Sequence, residues 1–206
     1  MVDKKKPITV KKVLREIASW VGPLSAVFVF GLILMHTIIL DAGVTSGSME
    51  GTIMTDDRVL GLRTAYWFSQ PQRFDVIVFD DPSAETPGLI REMAISAVNR
   101  FRRSQNRIDV PEMIVKRVIG LPGETIEIRG GYVYINGEFL EDDVFARGFG
   151  ERQGYFPPTV IPEGYFFVMG DNRNNSLDSR QTGMLAREYI RARVYFVILP
   201  NFSSVR

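Results

Sequence analysis

Met113-Ile114-Val115-Lys116-Arg117-Val118-Ile119, with the turn Gly120-Leu121-Pro122-Gly123 behind it, is the stretch from which the rest of the chain is best read. A short apolar run rich in β-branched residues and closed by a Pro-Gly turn signal predicts a strand with one or both faces buried. Immediately downstream, Thr125–Arg129 alternates strictly, with Ile126 and Ile128 on one face and Thr125, Glu127 and Arg129 on the other. Tyr132–Ile135, Asn136-Gly137 and Glu138–Leu140 then read as a hairpin, because Asn-Gly readily supplies the positive φ angles of a type I′ turn. Asp75–Phe79, Tyr165–Met169 and Val194–Leu199 have the same short, Val/Ile/Tyr/Phe-rich character. Together these segments predict a mainly β fold built on antiparallel sheet.

Three stretches depart from that pattern. Ile90, Met93, Ala94, Ala97, Val98 and Phe101 recur at helical spacing while Arg91, Arg100, Arg102 and Arg103 fall mostly elsewhere on the wheel, which predicts a short amphipathic helix inserted within about 90–105. Its basic face suits either anionic lipid headgroups or plain solvent. Residues of about 130–162 read as a smaller hairpin and loop subdomain, Gly- and Pro-rich over 141–162. Tyr66-Trp67-Phe68 reads equally as core or as an aromatic group at a membrane interface.

The N-terminus has a different physics. Residues 1–20 carry Lys4, Lys5, Lys6, Lys11, Lys12 and Arg15, whereas Val21 to Leu40 carry no charge. Twenty residues at about 1.5 Å each span roughly the 30 Å of a hydrocarbon core, so 21–40 is predicted to be a transmembrane helix. Pro23 would lie in its first turn, and Asp41 with Gly43 would end it. A cleavable signal peptide would have a shorter apolar core and a small-x-small site, whereas Leu40 stands two before Ala42. The first basic residue after the run is Arg58, so the positive-inside rule places 1–20 in the cytoplasm and 41–206 outside it.

A formal net charge of +1 argues against a nucleic-acid partner, and the absence of Cys removes disulfides and Cys-based zinc sites. The single His36 lies in the apolar run, so neither a Ser-His triad nor a multi-His metal site can be assembled. Thr45-Ser46-Gly47-Ser48-Met49-Glu50 directly follows the span and reads as an ordinary turn or as a nucleophile near the bilayer. With His and Cys excluded, a Ser nucleophile would need a neutral Lys. Lowering its pKa by roughly three units, about 4 kcal/mol, is what burial in apolar surroundings can do. Lys116, embedded in a hydrophobic strand, is such a residue, and an edge-strand lysine that blocks sheet pairing is the other reading. Adjacent side chains on a strand point to opposite faces, so Arg117 is free to reach solvent or a carboxylate. Asp171–Arg180, dense in Asp, Asn and Ser, reads as a hydrogen-bonded loop. It is not a calcium loop, since Arg173 stands where an oxygen ligand is needed.

Four stretches, in order, resemble the motifs of bacterial type I signal peptidases. They are Ser46-Gly47-Ser48-Met49-Glu50-Gly51-Thr52, Arg73–Phe79, Lys116–Glu124 and Gly170–Arg180. The resemblance implies a membrane-anchored serine endopeptidase with an antiparallel β catalytic domain, acting on preprotein signal peptides after small residues at positions −1 and −3. It implies Ser48 as nucleophile and Lys116 as general base, with the Ser48 N–H and Ser46 hydroxyl at the oxyanion. Ser176 would hydrogen-bond the Lys116 amine, and Asp178 and Arg180 would hold the last loop by charge pairing. It implies no metal or cofactor, and as partners the signal peptides, the lipid bilayer of the cytoplasmic membrane and the secretion translocon. Gly51 stands where the family usually has Pro, and Phe74 where it usually has Gly. Self-cleaving repressors share Ser-Lys chemistry, but a membrane span and the lack of a DNA-binding segment disfavour them; a non-catalytic membrane-anchored β module is the remaining alternative.

Overall fold

In the computed structural model, residues 10–83, 94, 95, 98, 113–144, 154–199 and 203–205 are described. The chain divides into two units, Met1–Ile38 and Ile39–Arg206. The described residues of the first form one helix, α1, at Val10–Ile38, of which Ala18–Ile38 is long and apolar enough to cross a membrane.

Two expectations at this end need correction. Pro23 lies inside α1 rather than in its first turn. Its missing N–H leaves the Ser19 carbonyl without its helical donor, while the Ser25 hydroxyl donates to Val21 O at 2.7 Å and Gly22 O at 2.9 Å. The helix also stops at Ile38 instead of running to Leu40. Ile39–Gly43 form strand β1 instead, whose Leu40 and Ala42 are buried, and pairing with a neighbouring strand outweighs two more helical residues.

The second unit is built from strands β2 (Arg58–Leu62), β3 (Val76–Asp80), β4 (Met113–Gly120), β5 (Thr125–Arg129), β6 (Tyr132–Ile135), β7 (Glu138–Phe139), β8 (Phe156–Val160), β9 (Tyr165–Met169), β10 (Leu185–Ala186), β11 (Ile190–Leu199) and β12 (Ser203–Ser204). Among the described residues, β1, β2, β11, β3, β4, β9 and β10 lie side by side in that order, and β12 pairs with β11. A second sheet has the order β7, β6, β5, β8. Every pairing is antiparallel.

The sequence reading located β3, β4, β5, β6, β7 and β9 to within a residue or two and began β11 four residues late, at Val194; it did not foresee β2, β10 or β12, and it left 141–162 as loop, where β8 lies. Pro157-Pro158 is tolerated because β8 is the outer strand of its sheet, where ladder N–H groups are dispensable. The hairpin turn is as predicted, with φ 53° at Asn136 and 85° at Gly137. Of the inserted helix, Ala94, Ile95 and Val98 are helical and Ile95 is buried; the remainder of 90–105 is outside the described residues.

The large sheet packs two apolar clusters. Leu40, Val44, Met49, Ile53, Val59, Val78 and Val194 belong to one; Ile77, Phe79, Val118, Phe166 and Leu185 belong to the other. A third, with Ile119, Ile126, Ile128, Val133, Phe167 and Met169, joins the small sheet to the end of β4. Strand β4 therefore runs through the middle of the unit, and Val115 to Gly120 are all buried.

Candidate active site

Lys116 lies on β4 opposite Ile77 of β3, while its neighbour Arg117 pairs with Val76 on one side and Met169 of β9 on the other. With a strand on each side, β4 is no edge, so the pairing-blocker reading of Lys116 fails. Lys116 is 3% exposed. Its Nζ donates to Ser48 Oγ at 2.6 Å. Burial pushes Lys116 down to about 8, against Asp178 and Asp171, which favour the ammonium form; Arg180 adds to the lowering. The amine thus loses its proton near pH 8, with the hydroxyl already in contact.

Ser48 sits in the short 3-10 turn Gly47–Met49 that follows β1. Met49 is buried in the first core cluster and anchors the turn, so it is a packing residue rather than a pocket wall. The Ser46 hydroxyl lies 3.2 Å from Ser48 Oγ. The turn closes with Gly51 at φ 98°, a conformation closed to proline. The rigidity that proline would supply comes instead from cross-links to the loop after β9. Asn172 N donates to Ser48 O at 3.0 Å, and Asn172 Nδ2 donates to Gly47 O at 3.1 Å and to Glu50 Oε2 at 3.0 Å.

That loop is itself pinned at three points. Arg117 grips Asp171 through two hydrogen bonds of 2.8 and 2.6 Å, both groups buried, and the Thr52 hydroxyl donates to Asp171 at 2.5 Å. Arg173 donates to Gly170 O at 3.0 Å and pairs with Asp142. Asp178 holds Arg180 by contacts of 2.8 and 2.9 Å, accepts from Gly170 N at 3.0 Å, and caps the short helix α2 (Ser179–Thr182) in a capping box with Gln181. Burial works against the Asp178 carboxylate, but Arg180 and the Gly170 N–H outweigh it and hold its pKa below the ordinary value.

The structure thus brings Ser46, Ser48 and Lys116 together and shows the Asp178–Arg180 pair. The expected hydrogen bond from Ser176 to the Lys116 amine is not formed. Ser176 Oγ is buried and stands beside the Asp178 carboxylate, where it helps to lower that group's pKa. A Cβ on Gly170 would stand 2.2 Å from Ser176 Oγ and 2.4 Å from Ser48 O, so the loop's first residue has to be glycine. Sequence reasoning missed Asn172, Asp171 and Thr52 as cross-linkers. The only signal was that all three fall inside the quoted motifs.

Buried Arg117 also donates to Phe74 O at 2.9 Å. Phe74 takes φ 70° in the turn before β3, the left-handed region that a Gly would occupy without strain. No group of His, Cys, Asp and Glu that could hold a metal occurs among the described residues.

The family model "Signal peptidase, peptidase S26" matches residues 17–199. Signal peptidase I of Leptolyngbya laminosa is 34% identical over 86% of this chain and 76% of its own length. Signal peptidase I S of Bacillus subtilis (strain 168) is 27% identical over 93% of this chain and 94% of its own length. A crystal structure of a signal peptidase I from Enterococcus faecalis V583 covers 61% of this chain and 97% of that one, with 29% identity and a TM-score of 0.44. With a buried Ser-Lys pair in its core and a family match running through nearly all of its length, the chain belongs to the signal peptidase family, peptidase S26.

Proposed function

We propose that the protein is a membrane-anchored serine endopeptidase that removes N-terminal signal peptides from exported preproteins, with Ser48 as nucleophile and Lys116 as general base. The observation that carries the assignment is the 2.6 Å contact between Lys116 Nζ and Ser48 Oγ at an amine whose pKa burial has lowered to about 8. In its neutral form the amine presents a lone pair along that same line and accepts the Ser48 proton.

Ser48 Oγ then attacks the scissile carbonyl. The Ser48 N–H and the Ser46 hydroxyl take up the oxyanion, in keeping with the 3.2 Å separation of the two serine oxygens. As the tetrahedral species collapses, the Lys116 ammonium gives its proton to the leaving amine, and the C–N bond breaks to leave an acyl ester on Ser48. Neutral Lys116 next takes a proton from water, the resulting hydroxide attacks the ester, and the ammonium returns the proton to Ser48 Oγ. Ser176, Asp178 and Arg180 act through the loop that supports this pair. Substrate is cut after small residues at −1 and −3, its backbone extended beside a strand edge. No metal or cofactor enters the sequence of steps.

Cleavage of a preprotein with Ala at −1 and −3 by purified full-length protein in detergent tests the assignment. Ser48→Ala and Lys116→Ala are each expected to abolish the cut, and a chelator to leave wild-type cleavage unchanged. Cleavage by Lys116→Ala at the wild-type rate would overturn it.

A further inference from the structure

We propose that a cavity lined by β6, β7 and Arg173 is a binding site for a basic side chain, Lys or Arg, of an extended polypeptide. Its volume is about 330 Å³, at the lower end of the range of ligand sites and suited to one long side chain. Tyr132, Phe139 and Leu140 supply apolar wall, and Arg173 with Asp142 lines it beside them. Glu141 and Asp143 complete the polar part and are exposed. The Tyr132 and Phe139 rings, 43% and 52% exposed, meet edge to face with centroids 5.7 Å apart.

The lining selects a cation. Aromatic faces carry partial negative charge and attract ammonium and guanidinium groups. The same sheet already shows this, since the Arg129 guanidinium lies 3.8 Å from the Tyr134 ring centroid, and Tyr134 in turn packs edge-on with Phe139 at 6.0 Å. Residues 130–144 hold four carboxylates and no Lys or Arg. The cations within reach from elsewhere are committed. Arg173 pairs with Asp142, both side chains buried, and Asp142 also accepts from Val144 N at 2.9 Å, so this wall is set before any ligand arrives. Arg117, which Asp142 and Asp143 reach through space, is gripped by Asp171. Glu141 has no ion-pair partner among the described residues. A long apolar stem ending in a positive charge meets Leu140, the two rings and the Glu141 carboxylate together.

Two features favour a polypeptide over a small cation. Phe139 stands on β7, the outer strand of its sheet among the described residues, and such an edge offers backbone groups to an extended chain. Arg173 directly follows Asn172, whose N–H holds Ser48 O, so the cavity borders the loop that clamps the nucleophile. A preprotein is the polypeptide at hand there, and on that point alone the proposal rests on the peptidase reading.

The probe is a fluorescein-labelled pentapeptide with Lys at its centre and Val and Gln around it, which offers no small residues for cleavage; its twin carries norleucine in place of Lys. Anisotropy with full-length protein in non-ionic detergent is expected to show the Lys peptide binding about tenfold more tightly than its twin. Glu141→Gln with Asp143→Asn should abolish that preference, and Phe139→Leu should weaken it, each at an unchanged melting temperature. Equal binding of the two peptides would overturn the site. A Lys preference that survives the double substitution in folded protein would place the cation elsewhere and overturn it too. If n-butylammonium displaces the Lys peptide at concentrations equal to that of unlabelled peptide, the site takes a small cation and the polypeptide assignment falls. The readout is binding, so it can fail while preprotein cleavage succeeds, and the reverse.

Discussion

A lysine that releases its proton at about 8 instead of 10.5 weakens the folded state wherever that proton is still bound. At pH 7 both folded and unfolded chains hold it, and the buried charge costs the folded chain about 3 kcal/mol. Between about 8 and 10.5 only the unfolded chain binds the proton, so stability rises with pH across that window. Lys116→Met removes the penalty and gives up one hydrogen bond to Ser48, for an expected net gain of about 2 kcal/mol at pH 7 with cleavage abolished. Urea melts of both proteins at pH 7 and pH 10 check this, because only the wild type should gain from the pH change. The same ionisation sets the rate: kcat/KM is expected to climb as pH approaches 8 and level off above it, following the neutral amine.

Strand β4 and the loop after β9 show how far the sequence could be read. Lys116 was readable because a chain without Cys, and with its one His in a membrane-length run, leaves few general bases. Arg117 was readable only by alternation, which gave its direction but not its partner Asp171, 54 residues on. Asn172 left no signature of its own, since its N–H and side-chain amide clamp backbone carbonyls more than 120 residues earlier. The end of α1 was misplaced because Ile39 and Leu40 suit a helix as well as a strand, and only pairing with β2 decides between them. Phe74 at φ 70° was visible as a departure from the family pattern, but its strain was not. At this scale Gly170 is the position to test. Gly170→Ala forces a methyl against Ser48 O and Ser176 Oγ and is expected to cost about 1–3 kcal/mol by overpacking. Because the carbonyl that must yield belongs to the nucleophile, cleavage should fall far more than the loss of folded protein explains. Thermal melts alongside kcat measurements separate the two effects.

At the scale of the whole molecule, the basic residues ahead of α1 and the uncharged run within it place the N-terminus in the cytoplasm and residues 41–206 outside it, in our reading. A reporter fused after Arg206 should be active only on the outer side of the cytoplasmic membrane; activity in the cytoplasm would refute that orientation. The distances along the chain between the parts of the site have a further consequence, in time. Ser48 and Lys116 are 68 residues apart, Thr52 and Asp171 are 119 apart, and Asn172 and Gly47 are 125 apart. Loop closures of that length come late in folding, after the local hairpins. A partly folded chain with only its hairpins formed would therefore hold a scattered serine and a charged, solvated lysine, and would be catalytically silent. Recovery of cleavage on refolding should coincide with the slowest phase of burial. The protease would then be latent through its own export, and its order of assembly would serve in place of a removable inhibitor.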